Sequence, residues 1–205
     1  MDRSICLESL RAPTYSRGHS LFDGIFFKNM EADRVSKKYA NDGDPAVYGY
    51  RVRPDKWRWR DKNGDGLSVN LEVCACCAAC SIHIAPEPSR FMHVLRLDLG
   101  ALVAELNIQL YASYDPIEPP DPHPNPCHFN ILPLDVSIED LLVNLRDFLT
   151  NIFPKEFPGR DAEKQRQALQ AKERYERVFL VIRNVYKPEL AAQVSSTEAI
   201  QATPR

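Results

Sequence analysis

Residues 125–152, NPCHFNILPLDVSIEDLLVNLRDFLTNI, decide the fold class of this chain. Cys127 to Leu132 mixes aromatic and β-branched residues and reads as a strand. Ser137 then stands where a helix N-cap belongs, with Glu139 and Asp140 in the first turn near the positive end of the dipole. Leu141, Leu142, Leu145, Phe148, Leu149 and Ile152 recur at helical spacing, so Ile138 to Ile152 reads as an amphipathic helix. A strand and a capped helix stand side by side here, and with the strand and helix signals elsewhere the chain reads as an α+β domain.

Strand signals recur outward from this stretch. They appear at Val47–Val52, Leu67–Val69, Phe91–Leu97 and Ile108–Tyr114. Leu99 to Asn107 fits a short helix or a connection. Asp161 caps a second long helix, read as Ala162 to Val185, polar in its first half and apolar on one side through Tyr175, Val178, Phe179 and Ile182. Leu21, Phe22, Ile25, Phe26 and Met30 fall near helical spacing and predict a helix close to residues 23–39. Asn70 as cap and the alanine-rich run after it predict a helix over Leu71–Ser81. The expectation is one domain over residues 21–186, with a small mixed or antiparallel sheet covered by these helices. Residues 1–20 are expected to form a flexible N-terminus and 187–205 a disordered tail.

Composition narrows the function classes. The chain has 205 residues, enough for one domain with its own core, and a formal net charge of −2. No overall basic excess argues for nucleic acid or an anionic membrane surface. No apolar window is long enough to span a bilayer. The N-terminus shows no apolar signal region, so the expected location is cytoplasmic. On that reading the six cysteines are reduced thiols. Sixteen prolines outnumber eight glycines, and six of them lie in Asp115–Pro126. They predict a stiff connection that fixes His128 at the head of its strand.

Four constellations carry possible chemistry. Asp61, Asn63, Asp65 and Glu72, with Gly66 at the sixth position, follow the oxygen-ligand spacing of a calcium loop. Ser68 departs from that pattern, and a tight turn between strands explains the same residues. Cys74, Cys77 and Cys80 are zinc candidates, the last two at CxxC spacing. Their apolar, alanine-rich setting favours buried helix packing instead. Arg51, Arg53, Trp57, Arg58, Trp59 and Arg60 interleave cations with aromatic rings, a pattern that binds phosphates and stacks on bases. Cation–π contacts within the protein explain the same pattern and are the favoured reading, since the charge is local and the whole chain is slightly acidic. His128 is a candidate base, ligand or structural anchor. No metal or cofactor is favoured by these patterns.

Gly66-Leu67-Ser68-Val69-Asn70 and Asn125-Pro126-Cys127-His128, with Tyr50-Arg51-Val52 before them, resemble a group of small uncharacterised bacterial proteins. That group pairs an arginine-bearing first strand, a Gly-(Ile/Leu)-Ser-Val element and an Asn-Pro-x-His element. The resemblance covers residues 46–132 and implies no established activity. Genes of the group often neighbour mobile-element, toxin–antitoxin or defence genes. The order arginine strand, serine strand, helix is also similar to ADP-ribosyltransferase-like layouts, in which Arg51 and Ser68 would help to hold NAD. Three expectations follow. The first is a non-enzymatic accessory or protein-interaction component of a defence or toxin-related system. The second is a nucleotide- or NAD-acting enzyme using Arg51, Ser68 and His128. The third is a nucleic-acid-binding module using Arg51–Arg60. The expected partner is another protein, nucleic acid being the alternative, and no membrane contact is expected.

Overall fold

The computed structural model describes residues 10–36, 50–57, 66–75, 77–153 and 159–183. Seven strands form one antiparallel sheet: β1 (Ser20–Leu21), β2 (Ile25–Met30), β5 (Leu67–Leu71), β6 (His93–Asp98), β7 (Leu110–Tyr114), β8 (His128–Pro133) and β9 (Phe179–Arg183). Their spatial order is β1-β7-β8-β5-β2-β6-β9. Two short strands, β3 (Val35–Ser36) and β4 (Arg51–Val52), pair separately. Five α-helices are described: α1 (Glu72–Ala75), α2 (Ala78–His83), α3 (Leu99–Leu106), α4 (Ile138–Asn151) and α5 (Ala162–Val178). The chain is α+β, as its strand and helix signals predict.

Residues opposite one another in an antiparallel ladder share a face, so the registers sort the side chains into two layers. Phe26 opposes Leu97, Leu97 opposes Phe179, and Val69 opposes Phe129. This apolar face is covered by α3, α4 and α5 and holds Phe26, Leu95, Leu97, Phe129 and Phe179, all fully buried. Burying each such side chain contributes about 1.5–3 kcal/mol. The other face carries Phe27, Asn29, Ser68, Asn70, Arg96, His128 and Asn130, and α1 and α2 pack along its β5–β2–β6 part.

The helix termini follow their caps. The Ser137 hydroxyl accepts from the Asp140 amide at 3.1 Å, and Asp161 Oδ1 accepts from the amides of Glu163 (3.0 Å) and Lys164 (3.1 Å). Tyr175 of α5 ties the small β3–β4 sheet to the main body, because its hydroxyl accepts from the Val52 amide at 2.8 Å. Burial pushes the Tyr175 phenol well above the ordinary tyrosine range. Tyr175→Phe is expected to cost about 1–2 kcal/mol by urea denaturation, because the buried Val52 N–H loses its acceptor. The substitution also flattens the loss of stability above about pH 10. There the unfolded phenol ionises while the folded one keeps its proton, so stability falls as pH rises.

Three sequence expectations are corrected. The described part of the helix predicted near 23–39 is β2, a 3₁₀ turn and β3, and residues 37–39 lie outside the described residues. β2 lies between β5 and β6 with both faces covered, so Phe26, Phe27 and Met30 are all buried and the alternation that marks a strand is lost. The helix predicted over 71–81 is shorter and divided. The ladder continues to Leu71, whose amide bonds to the Cys127 carbonyl at 2.9 Å, and Asn70 is a strand residue rather than a cap. The predicted helix to Val185 stops at Val178, and Phe179–Arg183 form β9 along β6. Aromatic and β-branched residues there suit either state, and the exposed edge of β6 selects the strand.

Candidate functional site

Ser68 and His128 come together on the polar face. Ser68 opposes Asn130 and Asn70 opposes His128, which places serine and imidazole diagonally across two neighbouring strands. Ser68 Oγ lies 2.9 Å from His128 Nε2. The other ring nitrogen, Nδ1, lies 2.6 Å from the Asp115 carbonyl. A carbonyl only accepts, so Nδ1 carries the proton. In the neutral ring Nε2 is therefore the acceptor and the Ser68 hydroxyl the donor. This is the polarity of a hydroxyl nucleophile beside a base with a fixed tautomer.

Asp115 is itself held from several directions. Its amide donates to the His128 carbonyl at 3.1 Å, Asn130 Nδ2 donates to its carboxylate at 3.2 Å, and Arg17 pairs with the same carboxylate. Arg17 also donates to the Pro116 carbonyl at 2.8 Å. The proline-rich loop is thus anchored at its first residues by the histidine it positions. Ser68 remains partly exposed, whereas His128 is 8% exposed.

A second polar network lies beside the pair. Asn125 Nδ2 donates to Asn70 Oδ1 at 2.8 Å, and Asn70 Nδ2 donates to Ser81 Oγ at 2.8 Å. Ser81 Oγ donates to Asn29 Oδ1 at 2.9 Å, and Asn29 returns a bond to the Ser81 carbonyl at 2.8 Å. Asn125 Oδ1 accepts from the Cys127 amide at 3.0 Å. Cys74 and Cys127 close the seam with a disulfide. The Leu-Ser-Val-Asn and Asn-Pro-Cys-His elements, far apart in sequence, are therefore one interlocked unit. Reading all six cysteines as reduced thiols is corrected for these two, and the bridge leaves the compartment open. Among the described residues no helix is long and apolar enough to cross a membrane.

Arg51 does not join this cluster. Its guanidinium lies 5.6 Å from the Phe153 ring centre, in the layer formed by Phe153, Tyr175 and Phe179 on the other side of the sheet. The three residues of the proposed NAD layout therefore do not converge. Arg53 pairs with Asp55 at 2.6 Å. Trp57 is a core residue, 3% exposed and packed against Phe179, and its ring is not available to stack on a base. Arg58, Trp59 and Arg60 lie outside the described residues, as do Asp61, Asn63 and Asp65.

Two of the metal candidates, Glu72 and Cys74, have other partners. The Glu72 carboxylate chelates the Arg96 guanidinium through contacts of 2.8 and 3.3 Å, which accounts for it without calcium. Cys74 is spent in its disulfide and offers no thiolate to zinc, leaving Cys77 and Cys80. Among the described residues no group of three or more His, Cys, Asp or Glu side chains is arranged to hold a metal.

Sequence reasoning finds Ser68 and His128 because each sits in a short motif. It misses Asn29, Asn70 and Ser81 as network members, because a polar residue in a strand gives no local sign of what it faces. No family model matches this chain, and no curated protein or solved structure is significantly similar to it.

Proposed function

We propose that this chain is a non-catalytic accessory or protein-interaction component, possessing a rigid sheet framework that presents its outer helix and proline loop to a protein partner. One observation carries the reading. The polar side chains of both motif elements are turned onto one another: both His128 nitrogens, both ends of the Asn125 amide and both ends of the Asn70 amide have internal partners. Such an arrangement fixes shape. Outward-facing surface is then what remains for recognition, chiefly the charged face of α5 with Glu163, Arg166, Glu173 and Arg177, and the loop tip at Glu118–Pro122. The resemblance to small bacterial proteins encoded near defence and toxin genes fits a role of this kind.

The test is affinity co-purification from the native host with mass spectrometry, repeated on variants. A specific partner is expected with wild type and with Ser68→Ala, and is lost with the charge reversal Glu173→Lys/Arg177→Glu. Ser68→Ala costs about 1 kcal/mol of stability, the net value of one hydrogen bond. Loss of the partner on Ser68→Ala, with the fold intact by circular dichroism, would sink the reading.

A second reading is favoured by the donor polarity of the Ser68–His128 pair. On it, the chain is an enzyme whose Ser68 attacks an electrophilic substrate while His128 takes the hydroxyl proton. A nucleotide- or NAD-acting version would have to work without Arg51. Covalent labelling of Ser68 by a fluorophosphonate, abolished by His128→Gln, supports this reading, and absence of labelling in the folded protein removes it. The nucleic-acid reading, a module using Arg51–Arg60, loses the Trp57 ring to the core, and a binding constant insensitive to salt would count against it.

A further inference from the structure

The short helix α2 holds a second pair of sulfurs. Cys77 is its N-cap and Cys80 its third residue, and a cap side chain turns back toward the amide of that third residue. The Cys80 amide donates to Cys77 Sγ at 3.4 Å. The same geometry brings the two thiols into contact, Sγ to Sγ at 3.3 Å. Their environments differ. Cys77 is partly exposed, whereas Cys80 is fully buried. The neighbouring Cys74–Cys127 bridge is buried at both ends, so among the described cysteines small reagents reach Cys77 first.

We propose that Cys77 and Cys80 form a thiol–disulfide exchange site for low-molecular-weight disulfides, with Cys77 as the attacking thiol and Cys80 as the resolving one. The contact, the CxxC spacing and the split in exposure together carry this assignment. Cys77 loses its proton to solvent, and the thiolate attacks one sulfur of a disulfide RSSR. The S–S bond breaks, and RS⁻ leaves and takes up a proton. Cys80 then loses its proton and attacks the Cys77 sulfur, expelling the second RS⁻. The protein dithiol is oxidised to a disulfide, and RSSR is reduced to two RSH. The sulfurs need only close from 3.3 Å to about 2.0 Å. Ser81, next to Cys80, anchors α2 to Asn29 and Asn70, so the bridge forms at the point where this helix is pinned to the sheet.

The experiment incubates the native chain with oxidised glutathione, alkylates remaining thiols and maps them by tandem mass spectrometry. Alkylation of both Cys77 and Cys80 is expected to be lost, with one Cys77–Cys80 bond formed, and to return on mild reduction that leaves Cys74–Cys127 intact. Cys80→Ser should retain glutathione on Cys77, while Cys77→Ser should leave Cys80 unmodified. Persistence of both thiols, a bond from Cys77 to another cysteine, or equal modification of Cys80 in Cys77→Ser would each overturn the proposal. Mapping of the wild-type chain assigns the bond directly, so the answer survives a variant that fails to fold.

Discussion

Replacing Cys74 and Cys127 together with alanine is expected to lower the stability of the fold by about 4 kcal/mol. The bridge links residues 53 positions apart. Closing a loop of that length in the unfolded chain removes entropy that the reduced chain regains. The two sulfurs also sit in the core, at 1% and 0% exposure, so the alanines leave a small void. A loss of this size moves the thermal midpoint down by roughly 10 °C for a domain of this length. Urea denaturation of the double variant, and of wild type with and without strong reductant, measures it. Coincident curves for reduced and oxidised wild type would show that the bridge contributes nothing. The seam offers a further readout: the bridge joins α1 to the residue just before β8, so Cys127 substitution should loosen the Asn125–Asn70 contact next to it.

The second large effect is expected at Asn70. Asn70→Ala removes the acceptor of the Asn125 amide and the donor to the Ser81 hydroxyl, in a site where Asn70 is 6% and Asn125 7% exposed. Leaving a buried polar group without its partner costs about 1–3 kcal/mol, and two groups are affected, so a loss of about 2–5 kcal/mol is expected. Asn125→Ala removes the other side of the same bond and also strands the Cys127 amide. Because the two residues act on each other, the double variant should cost less than the two singles added, with a coupling of about 1 kcal/mol or more. Strict additivity in urea midpoints would mean that the network does not behave as a unit.

Both predictions bear on function. If the polar seam is a framework, Asn70→Ala and the cysteine variants reduce partner capture only in proportion to the unfolded fraction. If Ser68 is a nucleophile, small displacements of β5 against β8 alter its labelling well before the protein unfolds, since reactivity depends on the 2.9 Å contact with His128.

The local signals of this chain are legible wherever one residue type settles one geometry. Ser137 and Asp161 mark helix starts because a short acceptor side chain satisfies amides that the helix leaves open. The strands at 67–71, 93–98, 110–114 and 128–133 are visible from their β-branched and aromatic residues. Gly66 is required by the structure for a reason only partly visible beforehand. Its φ is +104°, and a Cβ there would meet the Ile131 carbonyl at 2.6 Å. The turn is legible in the sequence, but the close approach of β8 is not.

Elsewhere the deciding partner is distant. β2 and β9 carry apolar runs that satisfy helical and extended periods alike. They are strands because β6 has two edges to fill, and unpaired edge amides are costly when buried. Trp57 sits among cations in the sequence and belongs to the core in the fold, because the turn after β4 drops it onto Phe179. Arg51 and Ser68, grouped by motif, are parted by the sheet itself. The sequence alone determined the α+β class, the two capped helices and the prominence of Ser68 and His128, since these rest on local spacing and side-chain chemistry. Tertiary structure decided that serine and histidine meet, that Arg51 stands apart and that Cys74 bridges Cys127. Each of those depends on strand register and on which face a side chain takes, and neither is encoded within one segment.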